Sequence, residues 1–257
     1  MRIAVCVKPV PDTAEVRIND RNMLIREGLP LTLNPADESA IEAALRLRGD
    51  GEVSLVTMGT AAMGSVLKGI LGRGPDEAVL LSDPAMAGSD TFATAKTLAA
   101  ALKHLGGFDL VLCGRRAVDG ETGQVPAELA VLLGIPFATN VTSLELDGEG
   151  GLRCERLLET GVESLHLPLP ALLSLCEYSY PLRPASLKTM RNARGKEMTV
   201  LDTKALKLKE EDCGIAASPT RVRRISGSET PARLGERETD TTTGAKKLIR
   251  IFMALRG

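Results

Sequence analysis

Four short apolar runs, each followed by a helical pattern, limit what this chain can fold into. Ile3 to Val7, Val53 to Met58, Ala78 to Leu81 and Asp109 to Cys113 are nearly unbroken hydrophobic stretches of strand length. That is the pattern of strands buried on both faces. The helical stretches are Ala40, Ile41, Ala44, Leu45 and Leu47 up to about Arg48, then Ala61 to Leu71, Thr91 to Leu105, and Val125, Leu129, Leu132 and Leu133. Asn34-Pro35-Ala36-Asp37-Glu38 reads as a helix start in which Asn34 or Asp37 caps and acids fill the first turn. Parallel strands require crossovers of helix length, and such crossovers are right-handed. The expected class is therefore α/β, with a doubly wound, mostly parallel sheet.

In open sheets of this kind, ligands sit outside the carboxyl ends of the strands, near a switch in strand order. The segments expected there are Cys6-Val7-Lys8, Met58-Gly59-Thr60, Asp83 to Asp90 and Gly114 to Gly123. The last has the most to offer. The apolar strand stops at Gly114, a polar loop runs from Arg115 to Gly123, and Gln124 opens a helix with Pro126 in its first turn. Amides at a helix N-terminus lack intrahelical partners and carry the positive end of the helix dipole, so they suit an anion. The alternative is that Gly114, Gly120 and Gly123 only turn the chain. Neither a Rossmann fingerprint nor a Walker A motif is present.

Composition removes several classes. A net charge of -1, 2% aromatic residues and no Trp argue against nucleic-acid binding, which uses a basic face and stacking rings. The five cysteines, Cys6, Cys113, Cys154, Cys176 and Cys213, include no C-x-x-C pair and read as small buried hydrophobes of a reducing compartment. No apolar run reaches membrane-spanning length. The expectation is a cytoplasmic protein with no membrane insertion. His104 and His166 read as structural, and Ser82-Asp83 and Ser89-Asp90 have no histidine near them for a hydrolytic triad. Asp119 is expected to stabilise its loop or meet a ribose hydroxyl, and Arg115 and Arg116 to meet phosphate or solvent.

After Pro136 the texture changes. Val141 to Leu146, Leu152 to Leu158 and Glu163 to Leu167 read as antiparallel strands about the turn Asp147 to Gly151, and Leu169 to Cys176 as another buried strand. Val16-Arg17-Ile18 alternates like an edge hairpin. Glu177 to Met198 holds a basic cluster, Arg183, Lys188, Arg191, Arg194 and Lys196, interrupted by Leu187 and Met190. From Lys204 the chain is low in core residues, with a linker expected over Glu229 to Thr243 and a helix over Ala245 to Leu255. The expected division is 1–200 as the α/β domain and 201–257 as an arm that wraps a partner.

In order and spacing, these stretches resemble the β subunit of electron-transfer flavoproteins. The matching pieces are Val5 to Thr13 (VCVKPVPDT), Asn34 to Asp37 (NPAD), Ala117 to Val125 (AVDGETGQV), Arg156 to Leu165, and Leu167 to Ser174. The resemblance implies a Rossmann-like, adenine-nucleotide-binding sheet with an added antiparallel hairpin and an extended C-terminal arm. It implies a heterodimer with an α subunit and electron exchange with a flavin-containing dehydrogenase. The implied cofactor contacts are Cys6, Asn34, Pro35, Ala36, Asp37, Met58, Gly114, Arg115, Ala117, Asp119, Gly120, Glu121, Thr122, Gly123, Gln124 and Val125. Partner recognition falls on Glu177 to Lys196, with Leu187 as apolar anchor beside Met190, Arg191 and Arg194.

Two further patterns resemble the flavin-bifurcating branch of that family. Asp119 to Val125 is close to its D-G-D-T-x-Q-V motif, and Gly88 to Thr94 is similar to its second element, adding Asp90, Thr91 and Thr94 as flavin contacts. FAD is then the implied cofactor, with NAD(H) as hydride partner; AMP is the alternative of the ordinary branch. Pro126 departs from the branch's Q-V-G-P, removing an amide and adding ring carbons. A nucleotide-sensing module without redox function is the reading from another class. The docking loop and the long arm argue against it.

Overall fold

The computed structural model describes residues 1–12, 17–18, 24–25, 30–196, 198–223 and 238–255. The chain forms two compact units, 1–223 and 224–257. The first begins with β1 (Arg2–Cys6), β2 (Pro9–Pro11), β3 (Arg17–Ile18), β4 (Leu24–Ile25) and β5 (Leu31–Leu33). β3 and β4 pair antiparallel, as do β2 and β5; Val16, the remaining residue of the expected edge hairpin, lies outside the described residues. α1 (Pro35–Leu47), β6 (Glu52–Met58), α2 (Met63–Leu71), β7 (Glu77–Leu81), α3 (Thr91–His104), β8 (Leu110–Gly114) and α4 (Val125–Leu133) follow in strict alternation. Then come β9 (Phe137–Leu146), β10 (Gly151–Leu158), β11 (Gly161–Pro168), β12 (Ala171–Leu175), α5 (Leu187–Ala193), β13 (Met198–Leu201) and α6 (Gly214–Ala217).

One nine-stranded sheet has the order β11-β10-β9-β12-β8-β1-β6-β7-β13. The pairings from β9 through β12, β8, β1, β6 and β7 to β13 are parallel, and only those of β10 with β9 and β11 are antiparallel. The fold is α/β with a mostly parallel sheet, as the alternation implied. The antiparallel part continues the main sheet. β9 pairs with β12 through residues 137 to 141 and with β10 through residues 141 to 146. In the turn between β9 and β10, Asp147 accepts from the Glu149 and Gly151 amides and meets His166 of β11 at 2.5 Å. That contact accounts for His166 structurally.

Side-chain alternation splits each strand between two cores. Ile3 and Val5 join Ile41, Leu45, Leu67 and Leu71 beneath α1 and α2. Ala4 and Cys6 join Leu98, Leu102, Leu129 and Ala130 beneath α3 and α4. A fully buried Leu or Ile contributes about 1.5–3 kcal/mol, so both layers are strongly fixed to the sheet.

Two expectations about the C-terminal part need correction. Glu177 to Met198 is not all loop: it contains α5, and Met198 starts the edge strand β13 beside β7. The stretch after Lys204 does carry core residues, since Leu206 and Cys213 join Leu201 of β13 in the core beneath α3. Asp83 holds the Thr203 amide and hydroxyl, and Lys96 meets Asp212 at 2.7 Å, so the compact unit reaches Arg223 and passes the expected limit at residue 200. The second unit contains α7 (Thr241–Ala254). It starts four residues before the expected Ala245 because Asp240 caps it by accepting from the Thr243 amide. Leu248, Ile249, Ile251, Phe252 and Met253 on α7, and Leu255 at its C-cap, are exposed.

Candidate functional site

Strand order reverses at β1. From β1 the chain moves to β6 and β7 on one side, then crosses to β8 and β12 on the other. The connections leaving β1 and β8 therefore part company at the carboxyl edge, which is where a doubly wound sheet leaves a crevice. Cys6 and Cys113 stand opposite each other there, both buried.

The loop from Gly114 to Gln124 is built by its own backbone. Arg115 N donates to Leu175 O at 2.9 Å, and Ala117 O accepts from Gly120 N at 3.3 Å and Glu121 N at 2.8 Å. Glu121 and Gly123 then take left-handed conformations, φ 53° and 63°. Glycine adopts that region without penalty; for Glu121 it costs about 1 kcal/mol or more. The result is that the amides of Thr122, Gly123 and Gln124 donate to no acceptor among the described residues. They precede α4, whose dipole adds to them. Pro126 is buried in the first turn of α4, and its missing amide falls where helices have none paired. This donor set suits phosphate oxygens.

Beneath the loop lies a buried polar frame. Asn34 occupies the N-cap position of α1, but its side chain caps nothing, contrary to expectation. It donates to Asp37 Oδ1 at 2.9 Å and Arg116 O at 3.0 Å, and accepts from Val118 N at 3.2 Å. Asp37 does not cap either; it accepts from Lys8 N at 2.6 Å and from the Gly114 amide. Lys8 Nζ meets Asp119 at 2.7 Å, which ties the loop to the end of β1. Pro35 and Ala36 form the first turn of α1 against this frame.

Burial raises the Asp37 carboxyl from an ordinary 3.8 to about 7, against the hydrogen bonds from Lys8, Asn34 and Gly114. The native state thus holds this proton more tightly than the unfolded chain. The associated stability is present below the ordinary value and lost as pH rises through about 7. Relative to Asp37→Asn, the chain is expected to lose about 2–3 kcal/mol between about pH 5 and about pH 8, measured by urea titration. A pH-independent difference would mean that the carboxyl ionises normally.

The second expected element sits beside the first. Asp90 caps α3 by accepting from Ala93 N, and Thr94 N donates to Asp90 O at 3.0 Å. The Asp90 carboxylate also accepts from the Thr220 amide and hydroxyl at 2.8 and 2.7 Å. Thr91 Oγ1 lies 3.3 Å from Gln124 Oε1 and 3.1 Å from Glu128 Oε1, which joins the N-termini of α3 and α4. Met58 ends β6 on the same edge. Sequence reasoning missed Glu128, Thr220, Glu177 and Ser218, whose Oγ accepts from the Asp90 amide at 2.9 Å. Glu177 pairs with Arg115 at 2.7 Å and with Arg116 at 3.6 Å, so both arginines already face a carboxylate.

Leu187, Met190 and Arg191 lie on α5 and Arg194 is its C-cap; the helix buries none of its side chains and is opened by a Ser186–Thr189 capping box. Leu187 is 89% and Met190 50% exposed, with Arg191 and Arg194 exposed beside them. An apolar knob that exposed gains nothing for the fold and suits burial against another surface. Among the described residues no cluster could hold a metal ion, and no helix is long and apolar enough to cross a membrane.

Comparison with known proteins gives these observations a family. Residues 22–206 match the electron transfer flavoprotein domain. The chain is similar to the caffeyl-CoA reductase-Etf complex subunit CarD of Acetobacterium woodii, 40% identical over 246 residues that cover 94% of this chain and 93% of that one. It is 42% identical to an electron transfer flavoprotein subunit beta of Thermoanaerobacterium thermosaccharolyticum over 92% of this chain and 91% of that one. An acryloyl-CoA reductase electron transfer subunit gamma of Anaerotignum propionicum is 36% identical over 86% of each chain. On the matched domain and these relatives, the chain belongs to the electron-transfer flavoprotein β-subunit family.

Proposed function

We propose that this chain is the β subunit of a heterodimeric electron-transfer flavoprotein of the bifurcating kind, with FAD held on the 114–125 loop. The heterodimer moves electrons from NADH or a flavin-containing dehydrogenase to an acceptor. The observation that carries this reading is the juncture of two motifs: Thr91 of the Gly88–Thr94 element lies against Gln124 and Glu128, at the end of the Asp119–Val125 element. Two of the relatives are named as parts of CoA-ester reductase systems, which fits an electron-delivering role.

The residues present suit the dinucleotide. The amides of Thr122, Gly123 and Gln124 would hold its diphosphate, and Thr91 and Thr94 would stand near its flavin end. When bound, the flavin supplies hydride and single-electron chemistry, so the chain needs no acid–base pair of its own. What the chain supplies is position: Asn34, Asp37, Lys8 and Asp119 fix the loop from below, and Asp90 fixes the start of α3. Pro126, buried in α4, takes a first-turn position that needs no amide.

The C-terminal unit is the arm that wraps the α subunit, supported by the exposed apolar residues of α7. Leu187, Met190, Arg191 and Arg194 meet the dehydrogenase. Five free, buried cysteines fit a reducing, cytoplasmic setting. Chromatography of the nucleotide released when the purified heterodimer is denatured tests the cofactor, separating FAD from the AMP of the ordinary branch.

A further inference from the structure

Two tethers run from the base of the docking segment to the frame of the nucleotide loop. The first is Glu177, two residues past the end of β12, whose carboxylate lies 2.7 Å from Arg115 Nε and 3.6 Å from Arg116 Nε. Its side chain is only 17% exposed, and Arg115 and Arg116 help hold its carboxyl below the ordinary range in spite of burial. The second is Arg183, gripped by buried Glu42 of α1 through Nε and Nη2, both at 2.9 Å, and through its own amide at 3.1 Å. The N-terminus of α1 in turn carries Asn34, which binds the loop at Arg116 O and Val118 N. Beyond Arg183, α5 buries nothing.

Glu177 does not exhaust the two arginines. Glu177 lies 2.7 Å from Arg115 Nε and 3.6 Å from Arg116 Nε, and both Nε atoms are buried with no other hydrogen-bond partner among the described residues. Both arginines also stand at the root of the loop. A Cβ on Gly123 would lie 3.3 Å from Arg115 O and 3.9 Å from Arg116 Cβ. The loop that carries the amides of residues 122 to 124 therefore packs on the same dipeptide that holds Glu177.

We infer that Glu177 is a positioning residue that couples occupancy of the nucleotide loop to the order of the docking segment. Nucleotide fixes Arg115 and Arg116, these fix Glu177, and residues 178–196 present Leu187 in a narrower set of conformations. By linkage, a docked partner tightens nucleotide binding by the same factor. The inference rests on the nucleotide reading of the loop.

The test is hydrogen–deuterium exchange over residues 178–196 in the full chain co-expressed with its α subunit, stripped of nucleotide and then saturated with FAD or AMP. Equilibrium dialysis runs in parallel. Saturation is expected to slow exchange in that segment about fivefold. In Glu177→Gln, dialysis still finds bound nucleotide but the slowing is gone. In Glu42→Gln, exchange is faster with and without nucleotide, while the ratio between the two states persists. A merely structural Glu177 would behave as Glu42 does. Bound nucleotide with equal exchange in both states, or a ratio untouched by Glu177→Gln, overturns the coupling. No bound nucleotide in dialysis overturns the loop reading itself.

Discussion

Gly114→Ala is expected to empty the nucleotide loop and to lower the melting temperature by roughly 5–10 °C. The added Cβ would lie 2.1 Å from Asp37 Oδ1 and 2.9 Å from both the carbonyl carbon and the Cβ of Ala36. Neither side yields cheaply. Gly114 is paired in register with Leu175 as the last residue of β8, and Ala36 and Asp37 form the first turn of α1. Overpacking of this kind costs about 1–3 kcal/mol, and a domain of this size loses about 2–4 °C for each kcal/mol. The nucleotide is affected beyond stability, because the shift displaces Asp37 from Lys8 and Asn34 and so releases the loop at Arg116 and Val118. Calorimetry with nucleotide analysis of the same sample checks both effects. A variant of normal stability and full occupancy would show that the frame under the loop is not what holds it.

Leu187→Ala is expected to raise the KM for the partner dehydrogenase about thirtyfold while leaving kcat and nucleotide content unchanged. A central apolar anchor commonly contributes about 2 kcal/mol or more to an interface, and 1.4 kcal/mol is tenfold. Leu187 is 89% exposed and belongs to neither core, so its truncation costs the fold nothing that would confuse the measurement. Steady-state reduction at varied dehydrogenase concentration reads the effect. Loss of cofactor, or an unchanged KM, would remove α5 from the docking surface.

What could be read from the residues and what could not divide along sequence separation. β1, β6, β7 and β8 were legible because burial on both faces leaves an apolar run that surface strands lack. β13 was not: only Leu201 of its four residues is buried, and an edge strand of that length leaves no run to see. The loop glycines and the α4 start were legible as local turn chemistry. Contacts between distant segments were not. The Thr220 and Ser218 partners of Asp90 lie about 130 residues away, in a stretch that reads as a polar tail. Glu177 gave no sign of its pairing with Arg115 because any acidic residue after a strand looks solvated until the fold brings two basic neighbours to it. Asn34 and Asp37 were legible as residues of this region, but not their burial or their bonds to each other and to the loop, which replace the expected cap.

The nucleotide content of the purified heterodimer tests the central claim most directly. Denaturation followed by chromatography should release about two FAD per heterodimer, one of which disappears in Gly114→Ala. One FAD with one AMP would contradict a flavin on this subunit, and one FAD with no second adenine nucleotide would contradict the amide cradle at Thr122 to Gln124.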